Sequence, residues 1–286
     1  MKSLALRALT VAGLSALSLP AMADAYSQVS FGGVTVTLID LNPGDGIAPS
    51  ITFLPNADLY EGSHVYGNVE SWAPRDQYRS FDHTGKNAGS SVGDSTEIGV
   101  SRVAGSVTGA ANGAGFSAMS LSGAAASTVA GHGTYNGYAT VPFTADNTSF
   151  ILSAHTLVSF SASAAIQTGF TVGYTAGGLE GEAAYGSLAL YAGGSQPGDA
   201  SDLEQQSLGF VYGTGDAPGA QGGTWNGTMT ASYSNLGNAS ALGSFYAEAD
   251  IGGRSVTSAV PEPSGCGMLL GGMALLAALA RRRQAQ

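Results

Sequence analysis

Apolar and polar residues alternate along most of this chain. Phe150, Leu152, Ala154, Thr156, Val158 and Phe160 fall on one side of an extended backbone. Ile166, Thr168, Phe170, Val172 and Tyr174 repeat the pattern, with Gln167, Gly169, Thr171 and Gly173 opposite. Trp225, Met229, Ala231 and Tyr233 alternate with Asn226, Thr228, Thr230 and Ser232, and Phe245, Ala247, Ala249 and Ile251 with Tyr246, Glu248 and Asp250. Successive side chains of a strand point to opposite faces, so a period of two predicts half-buried antiparallel strands with one wet face. By this pattern His155, opposite Phe150 and Val158, is a solvated strand residue. Shorter runs occur at 29–39, 51–54, 98–108, 137–143, 188–191 and 208–212. Turn-forming clusters separate them at 42–46, 176–178, 193–195 and 235–238. No helical periodicity of useful length interrupts residues 24–262. About ten strands at this spacing predict an all-β domain over 24–258, a single antiparallel β-sandwich of jelly-roll-like form. A parallel β-helix competes, but it needs a short fixed repeat that the chain lacks. Residues 104–137, rich in Gly, Ala and Ser, suit flat strands or loop equally.

The two ends break the alternation. Lys2 and Arg7 precede an apolar stretch from Ala8 to Leu19, Pro20 interrupts it, and Ala21-Met22-Ala23 forms a small-x-small cleavage site. Residues 1–23 therefore read as a signal peptide, cut after Ala23 by signal peptidase. At the other end stand Pro261-Glu262-Pro263, an apolar run from Gly265 to Ala280, and Arg281-Arg282-Arg283. The run of 16 residues spans roughly 24 Å as a helix, short of a hydrocarbon core of about 30 Å. Such an anchor needs local thinning of the bilayer. The two prolines lack backbone donors and fix φ, which keeps the motif extended ahead of the span. The three arginines stay cytoplasmic by the positive-inside rule, which places everything before the span outside. The expected path is export across a membrane, with the C-terminal run as an anchor.

A Pro-Glu-Pro motif, a short span and a basic stop, in that order, resemble the PEP-CTERM sorting signal of Gram-negative bacteria. The resemblance covers 259–286. It implies cutting near the motif by an exosortase, a membrane-embedded cysteine protease or transpeptidase, with delivery to the surface or exopolysaccharide matrix.

With the targeting segments set aside, five basic residues oppose twenty acidic ones, a net charge of −15 over residues 24–262. That surface repels nucleic acid and anionic headgroups, which excludes both as partners. The single cysteine, Cys266, lies in the span, so the exported domain has neither disulfide nor thiol chemistry and rests on its core. About 240 residues suffice for that.

Residues 60–97 depart from the alternating texture. They contain Tyr60, Tyr66, Trp72, Tyr78 and Phe81, with His64, His83, Arg75, Arg79 and Lys86. The expectation is a long, mostly irregular insertion covering an edge or end of the sandwich. Its aromatics either pin it down or, at Tyr60, Tyr66, Trp72 and Tyr78, stack on sugar rings. Asp40, Asn42 and Asp45 place three oxygen side chains around a tight turn and are calcium candidates; turn chemistry explains the same residues equally well. Gly89-Ser90-Ser91-Val92-Gly93 matches a nucleophile elbow. A chain this rich in Gly and Ser produces such a match about once by chance, and the strand-to-helix context is missing. No cofactor motif appears, and the four histidines show no metal spacing.

Two function classes remain. One is a non-enzymatic surface or matrix protein associated with exopolysaccharide. The other is a secreted carbohydrate-active enzyme or carbohydrate-binding module on a sandwich face, for which carboxylate separation would decide.

Overall fold

The alternation becomes fifteen strands in the computed structural model, which describes residues 23–54, 62–72, 76–84, 92–99, 101–109, 116–127, 131–143, 150–171, 181–195, 202–212 and 221–257. In chain order they are β1 (Ala23–Gly32), β2 (Thr35–Asp40), β3 (Ile51–Phe53), β4 (Gly62–Ser71), β5 (Gln77–Thr84), β6 (Val92–Ile98), β7 (Ser101–Gly109), β8 (Phe116–Ser127), β9 (Gly131–Phe143), β10 (Phe150–Leu152), β11 (Thr156–Phe170), β12 (Ala183–Ser195), β13 (Asp202–Tyr212), β14 (Gln221–Asn235) and β15 (Ala241–Thr257). No helix occurs among the described residues, and so none there is long and apolar enough to cross a membrane. Two antiparallel sheets form the sandwich. A seven-stranded sheet runs β14-β11-β1-β8-β7-β6, with β2 beside β11. An eight-stranded sheet runs β13-β12-β15-β9-β4-β5, with β10 joining β15 to β3.

The strands that alternate most cleanly supply the core. Phe150, Val158, Met229, Phe245 and Ile251 are all buried, as is Phe170; Val172, expected beside them, lies outside the described residues. Phe150 meets Phe53, Phe160 and Tyr233 at ring separations of 6.2, 5.6 and 6.3 Å, within the range of favourable aromatic contact. β1 and β2 form one path along β11. Phe31 faces Ala164 while Thr35 faces Ser161, so three residues on one strand oppose two on the other. The extra residue is a bulge at Gly32-Gly33-Val34, which ends pairing with β8 and bends the strand.

Several expectations need correction. Residues 60–97 do not form an irregular insertion: 62–71, 77–84 and 92–98 are strands β4, β5 and β6. Their alternation is weak because β5 and β6 are edge strands, where both faces are wet and polar residues suit either side. The Gly-, Ala- and Ser-rich stretch supplies most of β7, β8 and the start of β9. Gly193 and Gly194 are not a turn. They pair with Ser244 and Gly243 inside β12, and a Cβ at Gly194 would strike the Tyr233 ring.

His155 is not a strand residue either. It forms a corner between β10 and β11 with φ at +48°, a region costly to a residue with a Cβ. Its Nδ1 meets the Asp45 carboxylate, and its carbonyl accepts a 2.8 Å hydrogen bond from the Leu41 N–H. Fully buried Asn235 clamps the same corner, donating through Nδ2 to the carbonyls of Leu152, Ser153 and Ala239.

β1 starts and β15 stops at the opposite end of the sandwich. Ala23 pairs with Ser127 and Thr257 with Gly131, and only three residues connect those two partners, a reach of at most about 14 Å.

Candidate functional site

The outer face of the eight-stranded sheet concentrates the side chains with binding chemistry. On β4 the outward positions are His64, Tyr66, Asn68 and Glu70, and on β5 they include Tyr78 and Asp82. Thr140, Tyr138 and Asn136 of β9 stand opposite His64, Tyr66 and Asn68. Next comes β15 with Tyr246, Glu248 and Asp250, then β12 with Tyr191 and Tyr185. Five neighbouring strands extend about 19 Å at the usual interstrand spacing. The face is an array of tyrosines, amides and carboxylates.

Hydrogen bonds tie the array together. Asn68 Nδ2 donates to Tyr66 Oη at 2.7 Å, and the Tyr66 and Tyr78 hydroxyls lie 3.3 Å apart. Asn136 Nδ2 donates to Asn68 Oδ1 at 3.3 Å. Tyr185 donates to Asp250 at 3.1 Å and Tyr138 to Glu248 across a long 3.5 Å. His64 Nε2 contacts Asp82 at 2.9 Å. Glycine shapes one position here: a Cβ at Gly252 would strike the Tyr185 ring and crowd Asn136, so the bare backbone lets that ring lie flat on the sheet.

Charge is costly on this face. Burial raises the Glu248 carboxyl above the usual carboxylate range, and the neighbouring Asp250 charge adds to it. Burial also raises Asp250, partly offset by the Tyr185 hydrogen bond. Tyr138 is pushed up to about 12 by burial and then by the Glu248 charge. Tyr185 reaches about 12 by burial and then by Asp250.

These directions set a pH test. A carboxyl raised in the fold and ordinary in the unfolded chain favours the fold more as pH falls through the raised value. Replacing Glu248 with Gln removes one of two like charges on a strand face. It should stabilise the domain at about pH 7 by about 0.2–1 kcal/mol. Once Glu248 is protonated in the wild type, the advantage should vanish. Asp45 and Asp94 act oppositely. The backbone N–H groups of Ile47 and Ser95 lower them first, then His155 and His83. Their contribution is present above the ordinary carboxylate value and is lost as pH falls below it through the lowered folded value. Urea denaturation of wild type and Glu248→Gln at neutral and acid pH measures both effects; an advantage that persists in acid contradicts the assignment.

The sequence candidates divide. Tyr66 and Tyr78 come together on the array. Trp72 follows β4 at its end, 39% exposed, with its ring against His132 at 4.0 Å and tilted by 34°. Tyr60 lies outside the described residues. Asp40, Asn42 and Asp45 satisfy their own turn: Asp40 Oδ1 accepts the Asn42 N–H at 2.9 Å and Asp45 Oδ1 the Ile47 N–H at 2.7 Å. Among the described residues, no three His, Cys, Asp or Glu side chains converge as metal ligands. Glu248, Asp250, Tyr138 and Tyr185 are not among the sequence candidates: the pattern puts Glu248 and Asp250 on the wet face of their strand without marking that face as a site. The available signal was Tyr246-Ala247-Glu248-Ala249-Asp250, whose outward positions hold an aromatic and two acids.

Residues 259–284 match the family model of the PEP-CTERM protein-sorting motif. The tail is a PEP-CTERM sorting signal. It marks an exported protein processed by an exosortase. Ala21, Pro261, Glu262, Pro263 and Arg281 to Arg283 lie outside the described residues, as does the span at 265–280; Ala23 opens β1. No curated protein matches the chain. A solved structure described as the structural basis for promiscuous specificity of carbohydrate-binding modules from the β-sandwich superfamily has a TM-score of 0.11 and 9% identity, covering 75% of this chain and 94% of that one. At that score the likeness carries no argument.

Proposed function

We propose that this PEP-CTERM protein is a non-enzymatic surface or matrix protein that binds exopolysaccharide through the outer face of its eight-stranded sheet. The observation that carries the reading is the array itself. Tyr66, Tyr78, Tyr138 and Tyr185 present aromatic surface to sugar rings, while Asn68, Asn136, Glu248 and Asp250 offer donors and acceptors to hydroxyls. Trp72 extends the same face toward the end at which β15 stops. A net charge of −15 over residues 24–262 favours neutral or cationic glycan over acidic glycan.

The hydrolase reading draws on the raised Glu248 and Asp250 carboxyls. They are two residues apart on one face of β15, about 7 Å at the usual strand rise, and each already accepts a tyrosine hydroxyl, Tyr138 on Glu248 and Tyr185 on Asp250.

Exopolysaccharide purified from the producing cells tests both readings. Tyr66→Ala and Tyr185→Ala should each weaken binding roughly tenfold, the equivalent of about 1.4 kcal/mol, with thermal midpoints showing that the fold survives. Unchanged binding in a folded double variant would remove the glycan face. Release of new reducing ends would establish the enzyme instead.

A further inference from the structure

Tyr191 and Tyr246 stand directly opposite each other on β12 and β15. Their rings are stacked, with centroids 3.9 Å apart and planes 19° from parallel. The hydroxyls are joined by a hydrogen bond, and both side chains are half-buried on the outer face, open to solvent on one side. The arrangement holds two phenols together with the same orientation. The carbons ortho to their oxygens, where phenoxyl spin density is high, are therefore held against one another.

We propose that Tyr191 and Tyr246 are an oxidative modification site, coupling within one molecule to dityrosine when the exported protein meets a peroxidase-type one-electron oxidant and hydrogen peroxide. Each phenol gives up one electron and its hydroxyl proton. Hydrogen peroxide takes up the two electrons and two protons and leaves as two waters. The resulting phenoxyl radicals form one carbon–carbon bond between ortho positions, and each ring moves its ortho hydrogen to oxygen to regain aromaticity. The protein loses two hydrogens in all.

Geometry favours coupling within the molecule over coupling between molecules. The partner is already in ring contact, so the second phenol has an effective concentration far above any protein solution. The product would bond β12 covalently to β15 across a sheet that no disulfide can cross-link, because Cys266 is the one cysteine and follows the last strand in the sequence. The site is independent of what the face binds.

The secreted mature protein, treated with peroxidase and hydrogen peroxide, tests the proposal. The expected result is a monomer lighter by two hydrogens, with dityrosine fluorescence whose yield per molecule does not change on dilution. With twelve tyrosines in the chain, peptide mapping must locate the bond, and Tyr191 should be found joined to Tyr246. Tyr191→Phe and Tyr246→Phe keep ring packing but lose the phenol, and each should reduce the monomer fluorescence to background. Tyr66→Phe, which alters the other tyrosine pair on this face, should leave it intact. An unmodified wild-type monomer, products that are only intermolecular, or full yield in the Tyr191→Phe variant would each overturn the assignment.

Discussion

Mature protein recovered from cells that carry the cognate exosortase will lack Arg281, Arg282 and Arg283, and the effect will be all or none. The physical basis lies in the order of segments. Pro261 and Pro263 hold Glu262 in extended backbone that no helix can absorb. The 16-residue apolar run that follows is too short to sit comfortably in a bilayer, and the arginines fix its direction. β15 stays paired with β9 as far as Thr257, so only residues 258–260 separate the sandwich from the motif, a reach of about 10–14 Å. Cleavage at the motif therefore releases the sandwich with every strand intact. Intact-mass measurement of secreted material decides the matter, and a mature species ending at Gln286 would contradict it. Pro261→Ala with Pro263→Ala should leave the protein membrane-associated with its arginines in place.

Burial parity was legible in the sequence, but the sheet to which each strand belongs was not. Residues 150–160 read as one strand because every second side chain faces the core, and those side chains are buried. The chain nonetheless changes sheets within that stretch, with β10 in one layer and β11 in the other. A sandwich has a single core seen from two sides. A corner at Ser153-Ala154-His155 can therefore cross between layers while the inward positions stay inward. Only the left-handed backbone at His155 betrays the crossing, and sequence gives no warning of it. Glycine was ambiguous for a related reason. Asn42 to Gly46 is a turn, whereas Gly194, Gly243 and Gly252 lie within strands, each beneath an aromatic ring from another position. Turn and ring-bed use the same residue, and the ring's location is a tertiary fact. The tyrosine array was half legible. Tyr66 and Tyr78 drew notice because their surroundings lacked alternation. Tyr138, Tyr185, Glu248 and Asp250 occupy the wet side of strands whose other side builds the core.

Gly123→Ala will destabilise the domain by about 1–3 kcal/mol, the range for overpacking a filled core, although alanine is ordinarily the better strand residue. The cause is Tyr135, which is fully buried between the sheets. Its hydroxyl shares a 2.7 Å hydrogen bond with Ser27 Oγ across the core, and burial pushes its pKa up, keeping the phenol protonated. The ring lies where a Cβ at Gly123 would sit, and a Cβ at Gly253 would collide with its far edge. An aromatic ring held at both ends cannot yield as a flexible side-chain tip can. Tyr135→Phe should cost about 0.5–1.5 kcal/mol through the lost hydrogen bond, leaving the collision unchanged. Tyr135→Leu removes the ring plane. In that background Gly123→Ala should cost little or become favourable, because the methyl group enters vacated space. Urea denaturation of wild type, the two single variants and the Gly123→Ala/Tyr135→Leu double variant measures the coupling. We expect an interaction of about 1–3 kcal/mol favouring the double variant, and additivity within about 0.5 kcal/mol would show that the ring does not set the identity of residue 123.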